Sequence, residues 1–174
     1  MIEFQIPFVC LIFTILISII FFTKKKIDLE ENYYYKNILI FTLLVNSTNF
    51  ISHYLASVFA QGHITEGFAT VFSNINKLGS LFIVIITTNI LSYILYISFP
   101  KYRDKFKRNK IINYISYIII GIIIFLLEFN VYQVGGITSG EGSSVTFTFA
   151  LVFIDLLIAL IAVSYTHLTL PTNS

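Results

Sequence analysis

Five long apolar runs, at about residues 4–22, 37–60, 78–98, 111–129 and 145–162, leave this chain few ways to fold. A hydrocarbon core about 30 Å thick is crossed by a helix of about 20 apolar residues, and each run is close to that length. In lipid the backbone N–H and C=O groups must be paired within the segment itself, so each run reads as a transmembrane helix. The expected fold is all-α: a polytopic transmembrane helix bundle of about five spans. Composition excludes a soluble domain, because apolar residues make up 56% of the chain and charged residues only 11%, with a mean hydropathy of +0.84. That much apolar surface cannot be hidden in one core and covered by so little charge.

Charge placement gives the orientation. The segment Phe99 to Lys110 holds six of the eleven Lys and Arg residues, namely Lys101, Arg103, Lys105, Lys107, Arg108 and Lys110. Lys24, Lys25 and Lys26 follow the first run, and Glu3 precedes it. Basic connectors stay on the cytoplasmic face, which puts both of these inside and the N-terminus outside. A secretory signal peptide carries its positive charge ahead of the apolar stretch, so the first run reads as a retained anchor. A net charge of +2 sited beside spans is explained by orientation. The lipid bilayer is therefore the expected partner, and nucleic acid is not. Cys10, the sole cysteine, lies within the first run, so no disulfide framework or Cys-based metal site can be built, and no cofactor is expected.

The connectors carry their own patterns. Thr23 to Lys36 is short and of mixed charge, and its Tyr33-Tyr34-Tyr35 triplet reads as an aromatic belt at the membrane interface. Between Gln61 and Lys77, residues Ile64, Phe68, Val71, Phe72 and Ile75 share one helical face, which predicts a helix lying flat on the outer surface. His63 reads as a solvated loop residue, and Glu128 as a carboxylate at headgroup depth. Asn130 to Thr146 contains Gly135, Gly136, Gly140 and Gly142 without a single Lys or Arg. It lacks the Gly-Lys-Ser/Thr ending of a phosphate-binding loop and reads as a flexible outer connector.

Polar residues inside the runs are the candidate functional groups. Asn46, Asn49, His53 and Ser57 recur at spacings of three and four, which puts them on one face of the second span. The third span carries Thr87, Thr88 and Asn89, and the fifth carries Asp155, the one carboxylate deep in an apolar run. Such a carboxylate costs roughly 2.5–3.5 kcal/mol on insertion scales and faces the bundle interior beside a partner or water. Counting inward from the span ends brings Asn46 and Asn49, Thr87 to Asn89, and Asp155 to similar depth, and His53 is counted with them. A mid-membrane polar layer follows. Two readings stand: hydrogen bonds that hold helices together, or a ligand or ion path. The Asn46-Ser47-Thr48 sequon lies at membrane depth, out of reach of a glycosylating enzyme.

At the C-terminal end, Val163-Ser-Tyr-Thr-His-Leu-Thr-Leu-Pro-Thr172 breaks off an apolar run. It resembles, residue for residue, the translation of the transposase mosaic end and adapter used in sequencing libraries. Residues 1–162 are accordingly expected to form the transmembrane helical domain and 163–174 a non-native tail, which excludes His167 as a ligand. The natural protein is expected to continue past Ala162. Within the chain there is no paired carboxylate, Cys/His cluster, activated serine or phosphate loop, so no enzymatic activity is expected of it.

Three features carry a family resemblance: an outside N-terminus entering a span that ends Phe21-Phe22-Thr-Lys-Lys-Lys-Ile-Asp-Leu-Glu-Glu-Asn32; about five spans with short loops; and Ser139-Gly-Glu-Gly-Ser-Ser-Val-Thr-Phe147 opening the fifth. Over most of Met1 to Ala162 the chain resembles the multi-pass N-terminal region of sensor histidine kinases from AT-rich, low-GC Gram-positive bacteria. The resemblance implies a sensory input domain in the bacterial plasma membrane and a homodimer in the intact protein. A cytoplasmic dimerisation helix and an ATP-binding domain would follow. None of the kinase motifs is in this chain, so no residue inherits a catalytic role. The alternative is a transporter or channel subunit in which Asp155 and the asparagines line a substrate path.

Overall fold

The computed structural model describes residues 2–23, 30–59, 65–99, 110–134 and 137–169. Among these are five helices and one hairpin: α1 (Ile2–Thr23), α2 (Glu30–Phe59), α3 (Glu66–Ser98), α4 (Lys110–Leu126), β1 (Asn130–Val134), β2 (Ile137–Glu141) and α5 (Ser143–Thr169). Four of the helices, α1, α2, α3 and α5, are long and apolar enough to cross a membrane. The chain is a helical-bundle membrane protein.

The helices run up and down. Thr14 meets Asn46 and Phe8 meets Phe50, so α1 and α2 are antiparallel. Tyr34 meets Tyr93 while Thr48 lies against Gly79, which makes α2 and α3 antiparallel as well. Gly121 faces Leu81 and Phe125 reaches Lys77, so α4 returns along α3. On another face α5 runs parallel to α3, with Asp155 beside Thr87 and Tyr165 stacked on Phe99 at 5.7 Å. The connectors holding Lys24–Lys26 and Lys101–Arg108 therefore join helices at one end of the bundle. Those eight residues themselves lie outside the described residues, and Lys110 is the first residue of α4.

The centre is α3, which packs on α2, α4, α5 and β1, whereas α1 packs chiefly on α2. Val84, Ile85, Leu91 and Tyr96 of α3 are buried with Tyr34 of α2, Ile124 of α4 and Ala159 and Ala162 of α5. Outward faces are Ile, Leu and Phe, which is how a bundle solvated by lipid differs from a soluble one. Small residues set the closest approaches. A Cβ on Gly79 would lie 3.1 Å from Thr48 Oγ1, and one on Gly121 3.3 Å from Leu81, so larger residues would push α3 away from α2 and α4.

Four local expectations are revised. The surface helix expected before Lys77 is instead the first third of α3, a 33-residue helix about 50 Å long at 1.5 Å per residue. Thr65 starts it by accepting the Phe68 N–H at 3.3 Å, and no Pro interrupts it before Leu78. Phe68 and Phe72 turn into the bundle rather than toward lipid headgroups. Helix α2 begins at Glu30, so the tyrosine triplet is helical. Tyr34 is only 4% exposed, packed between Tyr93 and Tyr96, and is a core residue rather than part of an interface belt.

The connector between α4 and α5, expected as a flexible outer loop, is a hairpin paired antiparallel from Asn130↔Glu141 to Val134↔Ile137. Val131, Tyr132, Val134, Ile137 and Thr138 supply the β-branched and aromatic residues that strands favour. The fourth run closes as helix at Leu126, three residues short of the expected boundary at Phe129. Helix geometry in α5 runs past Ala162 to Thr169, and residues 170–174 lie outside the described residues.

Candidate functional site

Polar side chains are strung along α3 and meet a different neighbour at each level. A helix turns about 100° per residue, so successive residues face different helices. Thr88 and Asn89 illustrate this. Thr88 Oγ1 donates to Asp155 Oδ2 of α5 at 2.9 Å, joined by Thr87 Oγ1 at 3.1 Å, so one carboxylate oxygen accepts two hydroxyls. Thr87 Oγ1 also lies 3.0 Å from the Val84 carbonyl, leaving its single proton two acceptors. Asn89, 5% exposed, points instead toward α4 and α2. Its Nδ2 donates to Ile85 O at 2.7 Å and meets Tyr117 Oη at 3.2 Å, and its Oδ1 accepts from Asn37 Nδ2 at 3.4 Å.

The remaining candidates stand elsewhere. Asn46 Nδ2 donates to Thr14 Oγ1 of α1 at 2.6 Å, and Thr14 in turn donates to Cys10 O at 2.8 Å. Asn49 and His53 line a cavity at the hairpin end and have no hydrogen-bond partner among the described residues. Asp155 and Thr88 are thus together, whereas Asn89, Asn46 and the Asn49–His53 pair occupy three other places. Depth can be counted from the span ends, but the facing direction depends on where each neighbouring helix sits.

Toward the hairpin end, about 18 Å along the axis from Thr88, α3 carries Asn76 and Lys77. Asn76 Nδ2 donates to Ser52 Oγ of α2 at 3.0 Å and to Phe72 O at 2.7 Å. Lys77, 8% exposed, donates through Nζ to Phe125 O at 3.1 Å. Phe125 belongs to the last turn of α4, whose carbonyls have no helical partner, so the ammonium caps that end and meets the negative pole of the helix. The signal in the sequence is that Lys77 is the one Lys or Arg between Lys36 and Lys101.

The cavity, about 350 Å³, lies between α2, α3, the hairpin and the start of α5. Its position is held by a clamp. Ser144 N–H donates to Glu128 O at 3.1 Å, and Glu128 N–H donates to Ser143 Oγ at 3.1 Å, tying the entry of β1 to the first turn of α5. Gly142 makes the clamp possible: its φ is +147°, and a Cβ there would collide with the Glu128 carbonyl.

At the opposite end seven tyrosines from three helices meet. Tyr35 and Tyr93 hydroxyls are 2.8 Å apart, those of Tyr33 and Tyr114 3.0 Å apart, and Tyr114 packs edge-on against Tyr117 with ring centres 6.2 Å apart. Tyr34 and Tyr96 complete the set with ring centres 5.7 Å apart. The cluster was not expected from the sequence; the pairs Tyr93/Tyr96 and Tyr114/Tyr117, each three apart on a helix, are the signal that could have found it.

Among the described residues no group of His, Cys, Asp or Glu is arranged to hold a metal ion. Comparison of the chain with protein-family models, curated proteins and solved structures returned no match.

Proposed function

We propose that this chain is the membrane-embedded sensory input region of a bacterial sensor histidine kinase, with the hairpin outside the cell and the basic connectors in the cytoplasm. The observation that supports this most is the continuity of α3. One unbroken helix lines the cavity with Asn76 and Gly79, meets Asp155 through Thr87 and Thr88, and reaches the tyrosine cluster through Tyr93 and Tyr96. A ligand that prefers one position of α3 biases every contact along it, which is all that transmission by population shift requires. Asp155 is the contact best placed to respond, since this intramembrane carboxylate joins α5 to α3 through the Thr87 and Thr88 hydroxyls, so a shift of α3 against α5 changes both bonds. The intact kinase in this reading is a homodimer in the plasma membrane, and the signal leaves through its cytoplasmic domains.

The gene tests this first. Sequenced onward past the codon for Ala162, it is expected to encode a dimerisation helix with a phosphorylatable histidine and an ATP-binding domain; further spans with no soluble domain would refute the reading. In the intact protein, Asp155→Leu is expected to change basal autophosphorylation while Asp155→Asn, which can still accept both hydroxyls, changes it less. Wild-type output from both variants counts against a signalling role for the contact.

A second reading, a subunit of a small-solute transporter or channel, is favoured by one observation. Both bonds to Asp155 come from neutral hydroxyls, as suits a residue that exchanges a proton or passing solute. Proteoliposomes separate the two, because a transporter dissipates a solute or proton gradient and a sensor region does not.

A further inference from the structure

We infer that the hairpin-end cavity binds a small uncharged molecule with a flat apolar face and a hydrogen-bonding edge. This names the ligand class for the sensory reading and rests on that reading for its biological use, while binding itself is measured independently. Three properties of the wall carry the inference.

The first is charge. Among the described residues no Lys, Arg, Asp or Glu lines the cavity, and His53 is the one ionisable group there. An ionic ligand would leave water for a wall that offers no counter-charge, a cost that a neutral molecule escapes.

The second is the division of polar groups into those already bonded and those left over. Ser52 and Asn76 are bonded to each other across α2 and α3, and Thr148 Oγ1 donates to Ser144 O at 2.9 Å. Asn49 and His53, one helical turn apart on the same face of α2 and both exposed, make no side-chain hydrogen bond among the described residues, and neither do Ser80, Thr138 and Ser139 elsewhere on the wall. Together Asn49 and His53 offer an amide donor and acceptor and an imidazole, aligned along one side of the space.

The third is the facing wall. Phe72 of α3, Phe129 at the entry to β1 and Phe149 of α5 line it from three separate elements. Phe129 is held over β2 because position 140 is glycine; a Cβ there would overlap the ring. The backbone clamp at Glu128, one residue away, ties the same strand to α5. A cavity of this volume is at the small end of ligand sites, with the usual mixture of apolar wall and a few placed polar groups.

The test uses the chain in lipid nanodiscs and benzamide as the probe, followed by saturation-transfer NMR with empty nanodiscs as reference. Benzoate, benzylammonium and ethylbenzene are the comparison probes. Saturable binding of benzamide is expected, weakened about tenfold by the double substitution Asn49→Ala, His53→Ala, the worth of one or two unmade hydrogen bonds. Benzoate and benzylammonium should bind about tenfold or more weakly than benzamide, and ethylbenzene should be unaffected by the double substitution. Thermal unfolding of the double variant checks folding, and Ser80→Phe, which fills the space, should abolish binding in a second way. Absence of saturable benzamide binding overturns the inference, as does binding that neither the double variant nor Ser80→Phe weakens. If binding fails while Asp155→Leu still alters kinase output, the ligand site falls and the sensory reading stands; if binding holds while the gene encodes no kinase, the reverse is true.

Discussion

The two ends of α3 are built on opposite principles. At the tyrosine end the rings of Tyr34 and Tyr96 are buried between α2 and α3, while the exposed Tyr35 and Tyr114 pair through their hydroxyls with Tyr93 and Tyr33. At the hairpin end the buried rings of Phe68 and Phe72 and a few discrete polar contacts stand around a cavity of about 350 Å³. Filled space resists displacement, because each ring lost leaves a void or a collapse. Discrete contacts around a cavity can exchange partners at little cost. The lesson is that a single helix can be anchored at one end and left adjustable at the other, and stability should be distributed accordingly.

That contrast can be broken by measuring unfolding in micelles for substitutions along the helix. Tyr34→Ala is expected to cost the most, about 3–5 kcal/mol, as for other large aromatic truncations in a core. A loss below about 1 kcal/mol would mean that the tyrosine end is not close-packed. Next comes Lys77→Met, which removes the cap on α4 and should cost about 1.5–3 kcal/mol, the range for hydrogen bonds to charged groups. Hydrogen exchange should show the loss confined to the last turn of α4 and the hairpin; uniform loss across the bundle would contradict the capping role.

Ser52→Ala is smaller, about 0.6 kcal/mol and at most about 1.7, the measured span for interhelical hydrogen bonds in membranes. Asn49→Ala should stay within about 0.5 kcal/mol of wild type, because the side chain is bonded to nothing among the described residues. If Asn49→Ala proved as costly as Tyr34→Ala, the contrast between the ends would collapse.

Much of this fold was legible in the residues, and the reason is physical: the hydrophobic length of a span is fixed by the bilayer. The runs at 4–22, 78–98 and 145–162 lie within α1, α3 and α5 for that reason, except that α3 extends outward to Glu66. The overshoot was hidden because an amphipathic stretch is the same whether its apolar face meets lipid headgroups or a hairpin. Here Phe68 and Phe72 are buried in the bundle, with β1 packed on α3. The hairpin was masked by its four glycines, which outweighed the alternation of Val131, Tyr132, Val134 and Ile137.

In the polar set, Asp155 was recognisable from its cost in hydrocarbon, and the level of Thr88 from counting. Which of Thr88 and Asn89 would touch Asp155 was not, since a rotation of one residue exchanges them and only the placement of α5 decides. Asn49 and His53 were recognisable as one face of α2, but the cavity they line needs the hairpin, which no periodicity within α2 can announce.

The central claim is that lipid solvates this bundle with the hairpin cavity on the outer side and the basic connectors on the inner side. With Cys10 replaced by Ser, single cysteines at Ser139 in β2 and at Lys105 in the connector between α3 and α4 test it directly on intact cells. A membrane-impermeant maleimide should label Ser139→Cys at once and Lys105→Cys only after permeabilisation. Labelling of Lys105→Cys in intact cells, with Ser139→Cys protected, would contradict the account.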